Sequence, residues 1–221
     1  MKEKIEHLVQ VIPNNNENSI WIKLGKSLCG EMDDIYIGTY YVSPTNSKYK
    51  NNSRTIDFFT EINDEITFFK RKEVVLVQGD LNARVGQEND FIVHDKFDQE
   101  LGVKNFENQR MRNSQDKIIN TRGKELLDVC KLNDFLIMNG RKVGDIFGNL
   151  TSHQWNGSSA VDYFIAPNTF AQNILNFSVG KYIPWISDHC PIYTTILMKH
   201  GGSEGIQTPN SDLRDIQTGY M

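Results

Sequence analysis

The sequence predicts an α/β (α+β) protein, a two-sheet mixed β-sandwich flanked by helices in four layers, and three observations predict it. Val74-Val75-Leu76-Val77, bounded by Gly79 and preceded by the charged run Lys70 to Glu73, reads as a strand buried on both faces, the kind found in the middle of a sheet. Just upstream the apolar period changes to that of a helix: Ile56, Phe59, Ile62, Ile66 and Phe69 fall on one face, with Asp57, Glu61, Asp64 and Glu65 largely off it. Downstream, a second helical stripe and further β-rich runs repeat the alternation, which builds a sheet with helices packed on it.

In chain order, residues 1–19 are mostly polar and end in the Asn-rich run after Pro13, a loop by composition. Ile20 to Leu24 and Ile35 to Val42 are strands, paired antiparallel across a turn from Gly25 to Asp34. Pro44 and the Asn and Ser residues after it break the pattern, and the first helix follows with Asn52 or Ser53 as its cap. The stretch from Gly86 to Asn120 is long, charged and irregular. Near its end stand Arg110, Arg112, Lys117, Arg122 and Lys124, interleaved with Asp116, Glu125 and Asp128, which reads as a solvated charged face before it reads as a phosphate site. Thr121 to Lys131 is a helix capped by Asn120 or Thr121, and Phe135 to Met138 a buried strand. Thr151 to Trp155 and Val161 to Ala166 form a hairpin through Asn156-Gly157. Phe177 to Val179 and Ile192 to Leu197 are the last strands. The domain is expected to cover residues 20–198, with a disordered tail over 199–221 that lacks an apolar face.

The 221 residues suit one domain with a two-layer core. A formal charge of -4 supplies no bulk attraction to nucleic acid or to an anionic membrane, so such a partner is met through a local patch. No apolar run reaches the roughly 20 residues of a membrane span, and the polar start does not read as a signal peptide, so an intracellular protein is expected. Cys29, Cys130 and Cys190 are widely spaced and read as buried free thiols.

Three acidic elements stand at strand ends or in loops: Asp80 with Asn82, Asp162 within Val161-Asp162-Tyr163, and Asp188 with His189. An acid inside an apolar strand must find a partner or stay unpaired at a cost, and His189 is a natural partner for Asp162. Gln78-Gly79-Asp80-Leu81-Asn82 resembles the Gly-Asp-x-Asn motif of the endonuclease/exonuclease/phosphatase superfamily. Val161-Asp162-Tyr163 resembles its aliphatic-Asp-Tyr motif, and Ser187-Asp188-His189 its terminal Ser-Asp-His motif. Tyr41-Val42-Ser43-Pro44 is similar to its Tyr-x-Pro element with one residue inserted. The order holds across Ile20 to Leu197, and Asn139-Gly140-Arg141 through Thr151 looks most like endonuclease domains of non-long-terminal-repeat retrotransposons.

The resemblance implies metal-dependent phosphodiester hydrolysis, with DNA as the partner and magnesium, or manganese, as the cation. It also implies roles. Asp80 and Asn82 position and deprotonate the attacking water, Asp162 orients His189, and His189 contacts the scissile phosphate. Asp188 sits by the metal, Tyr41 hydrogen-bonds the phosphate, and Thr151 touches the substrate. Trp155 and Trp185, near the proposed site, are the aromatics expected to contact substrate, while Phe58, Phe59, Phe68 and Phe69 read as packing residues. The family pattern also has an Asn on a first strand and a metal-holding Glu, followed by Thr, on a second. Neither is found here, since Glu3, Glu6, Glu17 and Glu31 lie in polar or turn contexts, so the sequence is expected to begin after those strands. Two alternatives remain open: an inactive remnant that keeps the fold, and a phosphodiesterase acting on a lipid or a nucleotide.

Overall fold

The computed structural model describes residues 8–29, 33–44, 57–71, 73–92 and 111–198. Its centre is a six-stranded mixed sheet, and the element order that builds it begins β1 (Val9–Ile12), β2 (Ser19–Leu24), α1 (Lys26–Cys29) and β3 (Ile35–Tyr41). It continues through α2 (Phe58–Lys70), β4 (Val74–Asp80), α3 (Thr121–Asn133) and β5 (Phe135–Ile137). A hairpin of β6 (Ser152–Gln154) and β7 (Gly157–Ser159) comes next, then β8 (Asp162–Pro167) and a 3-10 helix (Asn168–Asn173). The described chain closes with β9 (Ile174–Val179) and β10 (Ile192–Ile196). Strand order in the large sheet is β1-β2-β3-β4-β8-β5, while β9 pairs with β10 and β6 with β7 in two-stranded sheets.

The buried strand read from Val74 is β4, with β3 parallel on one side and β8 antiparallel on the other. The parallel pair requires a crossover, and α2 supplies it. The first turn of α2 is held by Asp57, whose carboxylate accepts from the Thr60 amide at 3.2 Å and the Thr60 hydroxyl at 2.6 Å. The cap is thus Asp57 and not the expected Asn52 or Ser53, because α2 begins at Phe58; Asn52, Ser53 and Ile56 of the apolar stripe lie outside the described residues. Asn120 caps α3 as expected, accepting from the Gly123 amide at 2.7 Å. Both helices lie on one face of the sheet, where Phe59, Ile62, Ile66 and Phe69 of α2 and Leu126 and Leu127 of α3 meet Trp21, Val75 and Val77. The opposite face, carrying Leu76, Leu136 and Phe164, is covered by the 3-10 helix and the β9–β10 pair.

Four further expectations are corrected. Residues 9–12 are not loop but strand β1, because Val9 to Ile12 pair in register with Leu24 to Trp21 of β2. The Asn156-Gly157 hairpin is shorter than expected: Gly157–Ser159 is its return strand, and β8 belongs to the large sheet, where β4 offers a longer and more buried partner. Glu65 does not face solvent. Its carboxylate accepts from the Trp21 indole at 2.8 Å, the Tyr40 hydroxyl at 2.6 Å, the Ser19 hydroxyl at 3.1 Å and the Asn16 amide at 3.0 Å, so it pins α2 to β2 and β3. The turn between β2 and β3 contains α1, whose Cys29 is buried. All three cysteines are buried and free, as expected. The expected tail over 199–221 lies outside the described residues, and among the described residues no helix is long and apolar enough to cross a membrane.

The two apolar layers differ in closure. Among the described residues the helix side leaves Ile12, Phe58 and Ile119 partly buried at its margin, whereas Val179, Ile192, Ile196, Met198, Phe91 and Ile37 are among those half-covered on the other. Truncation should therefore cost more on the helix side. Ile62→Ala is expected to lose about 2–5 kcal/mol and Ile192→Ala about 1 kcal/mol in urea unfolding; equal losses would contradict the asymmetry.

Candidate active site

β4 and β8 run antiparallel with Asp80 directly opposite Asp162. The pairing follows from the two apolar runs: Val77 registers with Ile165 and Gln78 with Phe164, so the acids that end β4 and begin β8 are carried to the same sheet margin. Gly79 makes the approach possible. Its φ is +130°, and a Cβ there would sit 2.0 Å from the Tyr40 carbonyl oxygen, so no side chain fits.

His189 arrives from the chain before β10. Its Nδ1 lies 2.9 and 3.1 Å from the two carboxylate oxygens of Asp162, and its Nε2 lies 4.0 Å from an oxygen of Asp80. Atoms of Asp80, Asp162 and His189 fall within 4.8 Å of one another, a grouping able to hold a metal ion. The loop carrying His189 is tied to the hairpin: the His153 amide donates to the Asp188 carbonyl at 2.7 Å, and the Cys190 amide donates to the Thr151 carbonyl at 2.7 Å.

The electrostatics follow from burial and crowding. Asp80 is pushed up from 3.8 to about 6, first by burial and then by the charge of Asp162, against the hydrogen bonds from Asn82 and the pull of His189. Burial also raises Asp162, opposed by its hydrogen bonds with Thr151 and His189. For His189, burial pulls the imidazole down, but the hydrogen bond to Asp162 and the charges of Asp162, Asp80 and Asp188 outweigh it, so the net movement is upward.

Asn82 holds Asp80 in place. Its backbone amide donates to one Asp80 oxygen at 3.0 Å, and its side-chain amide donates to the other at 3.0 Å and to the Val42 carbonyl at 2.8 Å. Both neighbours of that NH2 group are acceptors, so it is committed to them, and the Asn82 contribution toward a water is its carbonyl oxygen. The backbone takes a φ of 45° to make this turn.

Other expected residues are placed differently. Thr151 is fully buried and presents no surface to a substrate; its hydroxyl oxygen accepts from the Val161 and Asp162 amides at 3.0 Å each. It is a support for Asp162. Asp188 is exposed, accepts from the Gln154 amide at 3.3 Å, and is felt by Asp162 and His189 without being one of the 4.8 Å group. Tyr41 registers beside Asp80 on β3 and is 56% exposed. Trp155 at the hairpin turn is 98% exposed and Trp185 84% exposed. Arg110 lies outside the described residues.

The charged stretch is the solvated face expected only in part: Lys117, Lys124 and Asp128 are exposed, while two of its members are not. Arg112 is buried, donating to the Val85, Gly86 and Glu88 carbonyls, and its Nε has no partner. Asp116 is also buried. It accepts from Arg84 at 2.7 and 2.6 Å, the Ile118 amide at 3.0 Å and the Ala160 amide at 3.1 Å, and these bonds hold its pKa down against the upward push of burial. Asp116 thus joins the chain leaving Asn82 to the chain entering Asp162. The Tyr163 hydroxyl spans the same gap, 2.8 Å from the Ala83 carbonyl and 2.6 Å from that of Ala160. Asn139, in the turn that follows β5, flanks Asp162 and donates to its carbonyl at 3.0 Å. An aspartate among alternating charges carries no local mark of burial, so Asp116 could not have been picked out by pattern.

No family model matches the sequence, and no curated protein matches it. Solved structures do share its fold. The endonuclease domain of TRAS1, a telomere-specific non-LTR retrotransposon, superimposes with a TM-score of 0.53 at 16% identity, over 87% of this chain and 69% of that one. The 3'-5' exonuclease NExo from Neisseria meningitidis gives 0.52 at 11% identity, over 86% and 70%. The AP endonuclease LMAP from Leishmania major gives 0.52 at 12% identity, over 83% of this chain and 60% of that one. The chain therefore has the fold of the endonuclease/exonuclease/phosphatase type.

Two measurements test the site's electrostatics. A carboxyl whose folded pKa is raised contributes stability below its unfolded value and loses it as pH rises through the folded value. Asp80→Asn should therefore stabilise the protein at pH 8 by on the order of 1–3 kcal/mol, with the gain vanishing at pH 4; unfolding curves with no pH dependence of that difference would contradict the arrangement. In Asp162→Asn, the His189 pKa followed by NMR should fall below its wild-type value, and an unchanged titration would remove Asp162 as its partner.

Proposed function

We propose that this chain is a metal-dependent phosphodiesterase acting on nucleic acid, of the retrotransposon endonuclease kind. The observation that carries the reading is the convergence of Asp80, Asp162 and His189 within 4.8 Å, with Asp162 on one imidazole nitrogen and Asp80 facing the other. Three distant parts of the chain meet there, and two acids brought together inside a fold cost stability, which marks a site more than a structural pairing.

The residues divide the work of hydrolysis. Asp162 fixes the ring of His189 and stabilises its protonated form, leaving Nε2 to donate to a non-bridging oxygen of the scissile phosphate as charge develops there. Asp80, with a proton affinity near neutral pH, accepts a proton from the attacking water, which the Asn82 carbonyl oxygen helps to orient. Thr151 and Asn139 act by holding Asp162 in place. Exposed Tyr41 beside Asp80, and Trp155 on the hairpin, are the surfaces offered to substrate.

The donor set suits magnesium, a hard cation that takes oxygen ligands and needs only one or two carboxylates. Asp188, exposed beside His189, would hold it, and the charge of the ion would offset the crowded carboxylates of Asp80 and Asp162, whose ionised forms burial penalises. When bound, the ion neutralises charge on the phosphate and lowers the pKa of water. Nothing in the chemistry of the set selects magnesium over manganese.

Nicking of supercoiled plasmid tests the reading. The full chain should relax the plasmid with magnesium or manganese and not with a chelator. His189→Ala and Asp162→Asn should each slow it by roughly a hundredfold or more. Absence of nicking by the unaltered protein at every level of both metals would sink the proposal.

A further inference from the structure

A guanidinium withdrawn from water without a counter-charge is costly, so such groups are ordinarily matched. Among the described residues, Arg84 is paired with Asp116 at 2.6 Å and Arg141 with Asp90 at 2.8 Å, while Arg112 is spent on three backbone carbonyls. Arg122 differs. It is half-buried in the first turn of α3, its Nη1 donates to the Ser43 carbonyl at 2.5 Å, and its guanidinium lies 5.7 Å from the centre of the Phe58 ring. No described carboxylate forms an ion pair with it, and the remaining N–H donors of the group have no described partner.

Its anchorage places it on one wall of the candidate site. Ser43 follows Val42, whose amide donates to the Asp80 carbonyl at 2.8 Å and whose carbonyl accepts from Asn82 at 2.8 Å. From the other side, Asn120 and Arg84 exchange hydrogen bonds of 3.0 and 3.1 Å, fastening the start of α3 to the chain that leaves Asn82. Gly123 allows that contact, since a Cβ there would sit 1.8 Å from the Arg84 carbonyl oxygen. Burial lowers the Arg122 pKa while Glu125 and Asp80 oppose the change, so the field of Asp80 reaches it. A fixed cation whose remaining donors no described residue engages, beside the catalytic acids in a chain of formal charge -4, is suited to a phosphate that is not the one being cut.

We propose that Arg122 binds a non-scissile backbone phosphate of a nucleic-acid substrate on the Tyr41–Ser43 side of the site. The proposal rests on the nucleic-acid reading above.

The test measures binding of a fluorescently labelled duplex oligonucleotide to the full chain, with chelator present, between 50 and 200 mM salt. Arg122→Gln, which keeps a donor for the Ser43 carbonyl, should lower the slope of log K against log salt by about 1, narrowing the affinity lost over that range roughly three- to fourfold. Arg122→Lys should keep the wild-type slope. Independently of any variant's folding, the Arg122 side-chain N–H resonance of the wild type should shift when unlabelled oligonucleotide is added. An unchanged slope in Arg122→Gln, or an unmoved resonance, overturns the assignment while leaving the nuclease reading intact. Failure of the wild type to bind any oligonucleotide overturns both this and the nucleic-acid substrate. In that case, metal-dependent hydrolysis of bis(p-nitrophenyl) phosphate would show that the phosphodiesterase chemistry survives.

Discussion

The structure depends on one pairing, β4 against β8, because it sets two carboxylates opposite each other at the margin of a sheet. The apolar run of β4 can satisfy its backbone only in the sheet interior, and β8 is the strand whose own buried run matches it. Once that register is made, Asp80 and Asp162 have no freedom to separate by more than their side chains allow. Their mutual repulsion is tolerated because each has a partner: Asn82 closes on one and His189 on the other. The result is a carboxyl of raised proton affinity beside an imidazole of raised proton affinity, a combination that burial alone, acting on either group singly, would not produce.

Around that pair stands a framework of buried side chains. Asp116, Tyr163, Thr151 and Asn139 each bond to backbone just before, within or after the two acidic strand ends. Their acceptors and donors are main-chain groups, so the framework fixes where the strands stop irrespective of which side chains the strands present. Such bonds carry weight because leaving any one of these buried groups unpaired costs about 1–3 kcal/mol. The helix side supplies rigidity from the rear, with Glu65 drawing indole, hydroxyl and amide donors from β2, β3 and the preceding loop onto α2.

The neighbours that share this fold are low in identity, and a fold of this kind does not by itself carry a chemistry. What distinguishes this chain is therefore the site: opposed acids, an oriented imidazole, and an arginine that no described carboxylate pairs on one wall. A protein of net negative charge meets a polyanion only where positive charge is concentrated and fixed, which gives individual cations near the site more influence than the overall balance suggests.

Much of this was written locally. The run from Val74, the 3.6-residue stripe from Phe59 to Phe69, the Asn120 cap and the acidic strand ends are patterns of near neighbours, and hydrophobic burial imposes such patterns on any chain that folds this way. They yield the α/β layering and name Asp80, Asn82, Asp162 and His189. What they could not yield was anything set by contact between remote segments. Val9–Ile12 is a strand only because β2 offers an edge, and the Asn156-Gly157 hairpin ends at Ser159 because β4 claims the residues after it. Thr151 turns from the substrate to the backbone of Asp162, and Asp116 and Arg112 pass from a charged stretch into the interior, because desolvation and hydrogen-bond satisfaction are decided by the whole surroundings of a group. The residue types of the site belong to the sequence; the distances between them, and with those the charge each can bear, belong to the tertiary structure.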